Sequence, residues 1–599
     1  MHGLPTSPES VSYAAAAVLE LARQSHYKRA AMPFSIHERG DLMRRLHTEA
    51  FDILVVGGGI TGAGVARDAA MRGLKVALVE RGDFAVGTSS RSTKLIHGGL
   101  RYLEMGDIGL VFEAVRERQR LLQLAPHLAK PQSFVLPVMG HSKHGVFALD
   151  VGLTLYDMLA AFSGVMRHRA VRKKALLRLE PALNGKSLSG GVRYFDATTD
   201  DARLVLANVR GAVLAGAACV SRVTFVAPNV VNGRITGATL RDELSQSTHT
   251  IAAKVIVAAA GPWTDAFAQQ WQAATQGAAT ELPPLQPSKG VHVVVPKERL
   301  PLQHAVTMTS PLDGRVVFAL PWPLATVIGT TDTAYSGPLD EPQCTWEDAD
   351  YLVRTVNGCL LPTGGPLQVA DVVSTWAGIR PLVAQAGAAT YKVSREHVIT
   401  ADPVGLVTVA GGKLTTYRVM AEQAVDEALV LLAHQATAVV KPCQTGTSPL
   451  PGAEALRSKS NPLVAVAAAA AQQFGLDSAT ARHFAERYGS DTTAVCQLCA
   501  HTEAGFDPVL PQLPYRWGEL AWLVREEMAM DLVDLMVRRT QLYYVAGDQL
   551  LPIAADLALR MAQWCGLPPQ AAPALADQLV AYIAAHRVQP QPQTGDAPA

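Results

Sequence analysis

The sequence has few charged residues, and the two signs are almost equal in number. Of its 599 residues 18% are charged, with 53 Lys and Arg against 52 Asp and Glu, so the formal net charge is +1. A protein that coats nucleic acid needs a sustained basic surface to neutralise phosphates. The charge balance therefore argues against nucleic acid as a partner. The 49% hydrophobic content excludes a largely disordered chain, and the length predicts two or three structural units.

Cysteine is also scarce. The seven cysteines are an odd number spread from Cys219 to Cys565, which argues against a disulfide framework and favours a reducing compartment. Cys496 and Cys499 form a single Cys-x-x-Cys, with His501 close by. Because no second ligand pair with metal spacing follows, we expect two free thiols and no metal site.

No long uncharged apolar run is present. The best candidate for a membrane span, residues 145–166, contains Asp150 and Asp157, each costly inside a bilayer. The apolar residues 14–19 lack a preceding basic region and are followed by Glu20, so they do not resemble a secretory signal. We therefore expect a cytoplasmic protein that does not span a membrane.

A βαβ unit is predicted near the start of the chain. Residues 51–56 are a short apolar run typical of a strand buried on both faces, residues 60–72 have a helical pattern, and residues 75–80 form a second strand. This order indicates the first part of a doubly wound sheet. Further strands are predicted at 255–260 and 406–410.

Between these later strands the pattern changes. Residues 291–295 and 316–320 are rich in β-branched side chains and predict an inserted antiparallel sheet facing the substrate. The Pro/Gly/Ser/Thr-rich residues 441–452 read as a linker, and the Ala/Leu-rich region beyond them predicts helices. The predicted fold class is α/β, a Rossmann-like domain with an inserted antiparallel-sheet domain and a C-terminal α-helical domain. The predicted boundaries are 1–49 for an N-terminal extension with a helix at 10–24, 50–440 for the Rossmann-like domain with the inserted sheet at roughly 281–375, 441–460 for the linker, 461–586 for the helical domain and 587–599 for a disordered tail.

The turn after the first strand predicts a dinucleotide site. Residues 57–62 read Gly-Gly-Gly-Ile-Thr-Gly, which satisfies G-x-G-x-x-G between a strand and a helix. Glu80 ends the second strand, where its carboxylate can accept hydrogen bonds from a ribose diol and would repel a 2′-phosphate. Two later strand ends, at 258–263 and 409–413, are rich in small residues. They favour FAD over NAD, because a helix starting after the second could stabilise negative charge on a reduced flavin.

Several longer motifs then resemble a known family. Residues 87–103 read Gly-Thr-Ser-Ser-Arg-Ser-Thr-Lys-Leu-Ile-His-Gly-Gly-Leu-Arg-Tyr-Leu, which is similar to the signature of FAD-dependent, quinone-linked glycerol-3-phosphate dehydrogenases of the aerobic type. These belong to the D-amino-acid-oxidase-like flavoprotein superfamily. Matching stretches follow in order at 289–292 (Lys-Gly-Val-His), 329–332 (Gly-Thr-Thr-Asp), 377–382 (Ala-Gly-Ile-Arg-Pro-Leu) and 411–418 (Gly-Gly-Lys-Leu-Thr-Thr-Tyr-Arg).

The resemblance implies that residues 50–440 are an FAD-dependent oxidoreductase domain, with an FAD-binding part and an interleaved substrate-binding sheet, that oxidises sn-glycerol 3-phosphate to dihydroxyacetone phosphate. Because no histidine lies in a recognisable flavin-linking motif, we expect the FAD to be noncovalent. Together with the dinucleotide motif, the resemblance assigns two sets of site residues. The expected substrate-binding residues are Arg101, Tyr102, His292, Arg380, Lys413 and Thr415. The expected cofactor-binding residues are Gly57, Gly59, Ile60, Thr61, Gly62, Glu80, Arg81, Thr88, Ser89, Ser90, Lys94, Leu95, His97, Gly98, Gly99, Leu100, Val223, Gly261, Trp263, Gly378, Gly412, Lys413, Leu414 and Thr415.

The chemistry of the substrate agrees with these residue types. A phosphomonoester carries almost two negative charges, which Arg101 and Arg380 could bind with bidentate geometry. His292 is our hypothesis for the base that takes the hydroxyl proton, and Lys413 for the cation that holds developing negative charge. The alternatives are a structural ion pair for each arginine and a buried core role for His292.

The electron acceptor has to be inferred from the surroundings of this site. Residues 167–178 are basic with apolar residues interleaved, which could bind anionic lipid headgroups. With the resemblance, this predicts peripheral binding on the cytoplasmic side of the inner membrane and electron transfer to a membrane quinone. The alternatives are a glycerol-3-phosphate oxidase that reduces oxygen to peroxide, an amine or amino-acid oxidase, and a noncatalytic flavin-binding scaffold. The oligomeric state is left open, with a homodimer as one alternative.

Overall fold

The computed structural model describes residues 34–99, 107–142, 144–160, 167–275, 284–384, 397–433, 440–456 and 461–589. The strands are β1 Ala50–Val56, β2 Val76–Glu80, β3 Leu95–Ile96, β4 Ala129–Met139, β5 Arg169–Arg172, β6 Leu188–Thr199, β7 Ala218–Ser221, β8 Val223–Val231, β9 Arg234–Asp242, β10 Thr248–Ala258, β11 Leu285–Pro296, β12 Ala305–Thr309, β13 Val316–Pro321, β14 Ala325–Gly329, β15 Thr333–Ala334, β16 Ser374–Val383, β17 His397–Asp402 and β18 Leu406–Gly411. The α-helices are α1 Arg39–Thr48, α2 Ile60–Met71, α3 Ile108–Leu124, α4 Val146–Ala160, α5 Lys173–Leu179, α6 Asp201–Leu214, α7 Thr264–Thr275, α8 Trp346–Cys359, α9 Tyr417–Leu432, α10 Pro462–Phe474, α11 Ser478–Tyr488, α12 Thr492–Ala500, α13 Trp517–Glu527, α14 Leu542–Ala546, α15 Ala554–Trp564 and α16 Ala572–Ala585.

The first sheet is the doubly wound layer that the sequence predicts. Its strand order is β17-β18-β10-β1-β2-β7, and β1 pairs in parallel with β10 and β2. Residues 53–55 of β1 are completely buried, as expected for a strand covered on both faces. The strands predicted at 51–56, 75–80, 255–260 and 406–410 correspond to β1, β2, β10 and β18.

The second sheet is larger than the predicted insertion. It has the order β15-β11-β14-β13-β12-β4-β6-β3, with β16 added on β11 and β5 on β6. The predicted strands at 291–295 and 316–320 lie in β11 and β13. However, β3 to β6 come from residues 95–199, and β16 ends only at Val383, so the estimate of 281–375 covers only part of this sheet. The sequence did not show this because β4 joins β12 through pairing between distant residues (Ala305 with Phe134).

Part of the N-terminal extension belongs to the core of the first domain. Helix α1 buries Leu42 and Leu46, four residues apart, and Phe34 before it is also buried. Arg39 donates to both carboxylate oxygens of Asp242, at 2.7 and 3.4 Å. Residues 34–49 are therefore packed on the sheet and are not an appendage. The helix predicted at 10–24 lies outside the described residues.

The described part of the predicted linker is packed against the first domain. The backbone N–H of Lys441 donates to the carbonyl of Arg72, and Leu450 and Ala453 are buried. The helical domain predicted after it is present as α10 to α16. Cys496 and Cys499 are buried free thiols on α12. The tail beyond residue 589 lies outside the described residues.

Buried ion pairs hold the helical domain on the first domain. Arg203 of α6 donates through two nitrogens to the two carboxylate oxygens of Glu527, each at 2.9 Å. Arg539, in a π-helical turn at Asp534–Arg539, donates to both carboxylate oxygens of Asp83, at 2.6 and 2.8 Å. In the part of the chain that is described, none of the helices has both the length and the apolar character needed to cross a bilayer.

Candidate active site

The glycine-rich turn between β1 and α2 brings three backbone segments into close contact. Gly57 has φ +108°, and a Cβ there would lie 2.5 Å from the carbonyl oxygen of Ala259. A Cβ on Gly62 would lie 1.9 Å from the carbonyl oxygen of Gly57. The turn therefore requires glycine at both positions, and it places the N-terminus of α2 at the edge of a cavity, where its partial positive charge suits a pyrophosphate.

Glu80 lies at the end of β2, on the wall of the same cavity. Its carboxylate accepts the backbone N–H of Gly58 at 2.7 Å and that of Gly82 at 2.8 Å. Burial raises the pKa of Glu80, and these two hydrogen bonds oppose that shift. A carboxylate has about four lone-pair positions, so two remain for a ribose diol.

The loop of residues 87–97 covers the turn. The Ser89 hydroxyl accepts the N–H of Ile60 at 2.9 Å, which joins the loop to the first turn of α2. Lys94 faces away from the cavity wall. Its ammonium forms a buried ion pair with Asp201 and donates to the carbonyl of Ser90.

The pairing of β11 with β16 sets the geometry of the substrate end. Ser288 lies opposite Arg380, Gly290 opposite Gly378, and His292 opposite Trp376. Because strand side chains alternate between faces, these positions share one face of the sheet. A Cβ on Gly290 would lie 2.4 Å from an Nη of Arg380, so the absence of a side chain there lets the guanidinium lie across the strand.

His292 is buried and held on two sides. Its ring stacks on Trp376 with 4.8 Å between centroids, and its Nε2 lies 2.9 Å from the Thr93 hydroxyl. Burial lowers the pKa of His292 well below its usual value, and the charges of Arg380 and Lys94 lower it further. The imidazole is therefore neutral at pH 7.

Arg380 is fixed by neutral oxygens and one carboxylate. It donates to the Thr330 hydroxyl at 3.0 Å and the Thr331 carbonyl at 3.1 Å, and its Nη1 lies 3.2 Å from Asp332. The side chain is 18% exposed and lines the cavity. A guanidinium has five N–H donors, so Arg380 can contact an anion while these bonds persist.

The third part of the site is the turn after β18. Gly411 and Gly412 have φ of +75° and +91°, which turns the chain so that Lys413 lines the cavity. The Thr415 hydroxyl accepts the N–H of His97 at 3.2 Å and so joins this turn to the loop of residues 87–97. The following helix begins at Tyr417, as the sequence predicts for a helix start next to the cofactor.

These three parts enclose one cavity of about 430 Å³, within the usual range for ligand sites. Most of the predicted residues lie on its wall: Gly57, Gly59, Ile60, Thr61, Glu80, Arg81, Thr88, Ser89, Leu95, His97, Val223, Gly261, Trp263, His292, Gly378, Arg380, Gly412, Lys413, Leu414 and Thr415. The wall does not include Gly62, Ser90, Lys94, Gly98 or Gly99. Leu100, Arg101 and Tyr102 lie outside the described residues.

Some wall residues were not predicted individually, among them Arg91, Thr93 and Gly290. Thr93 falls within the loop signature, but its contact with His292 depends on two segments almost 200 residues apart in sequence. The Lys-Gly-Val-His motif contained the signal for Gly290, since a glycine inside a strand often marks close approach by another group.

The cavity fits an extended dinucleotide cofactor. Its wall includes a glycine cradle that Cβ atoms would fill, Glu80 at the strand end where a ribose is expected, and Lys413 after the turn that follows β18. Arg81 lies over the ring of Trp263 at 4.4 Å, on the wall next to Glu80.

Comparison with known proteins gives consistent matches. Residues 52–418 match the family described as FAD dependent oxidoreductase (DAO), and residues 443–571 match the C-terminal domain of alpha-glycerophosphate oxidase. A Staphylococcus aureus protein named aerobic glycerol-3-phosphate dehydrogenase is 37% identical over 537 residues, which cover 88% of this chain and 94% of that protein.

Solved structures agree with these matches. The glycerol-3-phosphate dehydrogenase from Bacillus halodurans complexed with FAD has a TM-score of 0.76 and 31% identity, covering 94% of this chain and 100% of that one. The L-alpha-glycerophosphate oxidase from Mycoplasma pneumoniae with FAD bound covers 67% of this chain and 100% of its own, and at 19% identity and a TM-score of 0.50 it shows likeness of fold alone. The chain therefore belongs to the FAD-dependent oxidoreductases of the DAO family, and within them to the glycerol-3-phosphate dehydrogenases, with FAD as its cofactor.

Proposed function

We propose that this protein oxidises sn-glycerol 3-phosphate to dihydroxyacetone phosphate on FAD and passes the electrons to a membrane quinone. The observation that carries the proposal is the shared face of β11 and β16, which puts Arg380 and His292 in one cavity with Lys413 and the dinucleotide turn. The names of the relatives support the same substrate.

The residues divide the work between binding and proton transfer. Arg380 binds the phosphate dianion, and Lys413 holds negative charge that develops near the reacting carbon. When bound, FAD supplies the chemistry of hydride acceptance from C2 of the substrate. His292, neutral because it is buried, takes the proton of the C2 hydroxyl. Arg101 remains part of the proposed phosphate site and Tyr102 part of the proposed substrate site; both lie outside the described residues.

The proposal is tested by anaerobic titration of the purified holoenzyme. We expect sn-glycerol 3-phosphate to bleach the flavin absorbance, and glycerol and glycine at the same concentration to leave it oxidised over the same time. A flavin that stays oxidised with the phosphate ester refutes the proposal, and bleaching by glycine favours an amino-acid oxidase. Acid precipitation should release all the flavin into the supernatant, because we propose that FAD is noncovalent.

An exposed apolar surface supports peripheral binding to a membrane. Helices α3 and α4 expose Ile108, Phe112, Phe147, Val151 and Met158, with Phe147 81% and Met158 62% accessible. The basic residues of 167–174 begin soon after α4, and most of them are exposed. An apolar face beside basic side chains suits an anionic bilayer on the cytoplasmic side of the inner membrane, where a quinone is available.

The membrane proposal is tested with vesicles that contain anionic lipid. The full-length protein should co-sediment with them at low salt, and the double variant Phe147→Glu, Val151→Glu should not. A matched control is Val464→Glu, which changes a 69% exposed valine on α10. Equal sedimentation of all three proteins refutes this surface.

The acceptor is tested separately, because glycerol-3-phosphate oxidase remains the alternative. The yield of hydrogen peroxide is compared with the rate of reduction of a soluble quinone. Quinone reduction with little peroxide supports the proposal, and stoichiometric peroxide favours the oxidase.

A further inference from the structure

Within the described ranges, one ring nitrogen of His292 has a hydrogen-bond partner and the other has none. Its Nδ1 is enclosed by protein and has no such partner among the residues that the structure describes. Its Nε2 is 2.9 Å from the hydroxyl of Thr93. Thr93 and His292 both line the cavity, and the Thr93 hydroxyl lies against the imidazole nitrogen that can still exchange a proton.

The ring cannot readily turn to present another atom. It stacks on Trp376 at an interplanar angle of 12°, and a Cβ on Gly329 would lie 2.0 Å from its Cδ2, so the neighbouring strand packs directly against the ring edge. The Trp376 indole N–H in turn donates to the carbonyl of Ser92 at 3.1 Å, which fixes the loop that contains Thr93. Loop, indole and imidazole therefore hold the 2.9 Å contact in place.

We infer that Thr93 relays the proton from the substrate hydroxyl to His292. The inference rests on the proposed function and adds a residue to it. In the step, the neutral imidazole of His292 starts with its hydrogen on Nδ1, so Nε2 is the acceptor. The C2 hydroxyl proton of the substrate moves to Oγ1 of Thr93 while the proton of the Thr93 hydroxyl moves to Nε2 of His292. FAD, when bound, would supply the acceptor for the C2 hydrogen with its bonding electron pair, so the substrate would become a ketone, Thr93 would be neutral again and His292 would be an imidazolium.

The charges around His292 govern how easily the imidazolium forms. The positive charges of Arg380 and Lys94 both disfavour the imidazolium. The ion pair of Lys94 with Asp201 offsets part of the Lys94 charge. A bound phosphate dianion offsets the charge of Arg380 in the same way. The relay is therefore most effective with a substrate that carries a phosphate.

The test compares Thr93→Val, which keeps the shape and removes the hydroxyl, with Thr93→Ser, which keeps the hydroxyl. The control is Thr236→Val, an exposed threonine on β9. Two quantities are measured: the rate of anaerobic flavin reduction from pH 6 to 9, and the Kd of dihydroxyacetone phosphate from the flavin difference spectrum of the oxidised enzyme.

We expect Thr93→Val to reduce flavin at least about 30-fold more slowly at pH 7, and Thr93→Ser and the control to stay within about threefold of the wild type. The Kd of dihydroxyacetone phosphate and the FAD content should change less than twofold in every variant. In the wild type, the rate plotted against the deuterium fraction of the solvent should be curved, because two protons move together.

The relay is overturned if Thr93→Val keeps its rate within threefold, if Thr93→Ser is as slow as Thr93→Val, or if the rate loss only follows a weaker Kd. Should Thr93→Val not retain FAD, Thr93→Ala is compared with Thr93→Ser under the same criteria. Absence of bleaching in the wild type refutes the proposed function. Bleaching of the wild type and Thr93→Val at equal rates refutes only the relay.

Discussion

Replacing Arg380 tests the phosphate site most directly. In Arg380→Ala the cavity loses a guanidinium that is fixed by Thr330, Thr331 and Asp332. The neighbouring strand should tolerate the smaller side chain, because Gly290 has no side chain that packs against the guanidinium. We therefore expect the variant to fold and to keep FAD.

The size of the effect follows from the contacts. A hydrogen bond to a charged group contributes about 1.5–3 kcal/mol, and a guanidinium can make two with a phosphate. Arg380 is 18% exposed, and Asp332 offsets part of its charge. We therefore take about 3 kcal/mol for the two hydrogen bonds to the phosphate together. This corresponds to a loss of about 150-fold in kcat/KM. Arg380→Lys keeps the charge but loses the planar fork, so we expect a loss of about tenfold.

The assay measures kcat/KM with a soluble electron acceptor for sn-glycerol 3-phosphate and for glycerol. Glycerol has no phosphate, so its much lower kcat/KM should be nearly the same in wild type and Arg380→Ala. The control is Arg354→Ala, which removes a 60% exposed arginine paired with Asp350 at the surface. A loss below fivefold for the phosphate ester with FAD retained, or an equal loss for glycerol, would refute the assignment of Arg380.

Three further predictions concern other parts of the structure. Gly290→Ala places a methyl group 2.4 Å from the guanidinium of Arg380, so the KM for sn-glycerol 3-phosphate should rise about tenfold with FAD content unchanged, and an unchanged KM would show that the strand adapts. Arg539→Met leaves the buried carboxylate of Asp83 with one partner fewer, at a cost of about 3–5 kcal/mol. We expect a lower Tm and loss of FAD on gel filtration, neither of which should occur in Arg560→Met at an exposed pair. Burial, together with nearby arginines, lowers the pKa of His127 to about 3. As pH falls below about 6.5 the unfolded chain therefore binds a proton that the folded protein does not, and stability decreases. In His127→Gln the decrease of Tm between pH 6.5 and 5 should be smaller, and an equal slope would contradict this reasoning.

The sequence predicts best the parts of the site that local pattern determines. The glycine turn, Glu80 at the end of β2 and the turn at Gly411 and Gly412 each lie in one short segment. Burial on both faces produces the continuous apolar runs by which β1 and β10 can be recognised. The structure shows β1 within one residue of its predicted bounds, whereas β10 begins at Thr248, seven residues before the predicted start.

The rest depends on contacts between distant segments. Thr93 meets His292 across 199 positions, and Asp332 lies beside Arg380 across 48. Strands β3 to β6 join the second sheet only through pairing with strands elsewhere in the chain, which a local pattern does not show. Likewise, the predicted N-terminal boundary at residue 49 missed the packing of α1, because two leucines in a short helix do not reveal which sheet they cover.

The contact between Asp83 and Arg539 has a consequence for biosynthesis. The two residues are 456 positions apart, and Asp83 follows closely on Glu80, the glutamate expected to bind the ribose. A ribosome must therefore have passed residue 539 before the loop behind that glutamate can receive this ionic partner. Since non-local closure of this kind is slow, we expect nascent chains to capture flavin only after that residue has been made. A protein truncated just before the π-helical turn should consequently accumulate without bound FAD.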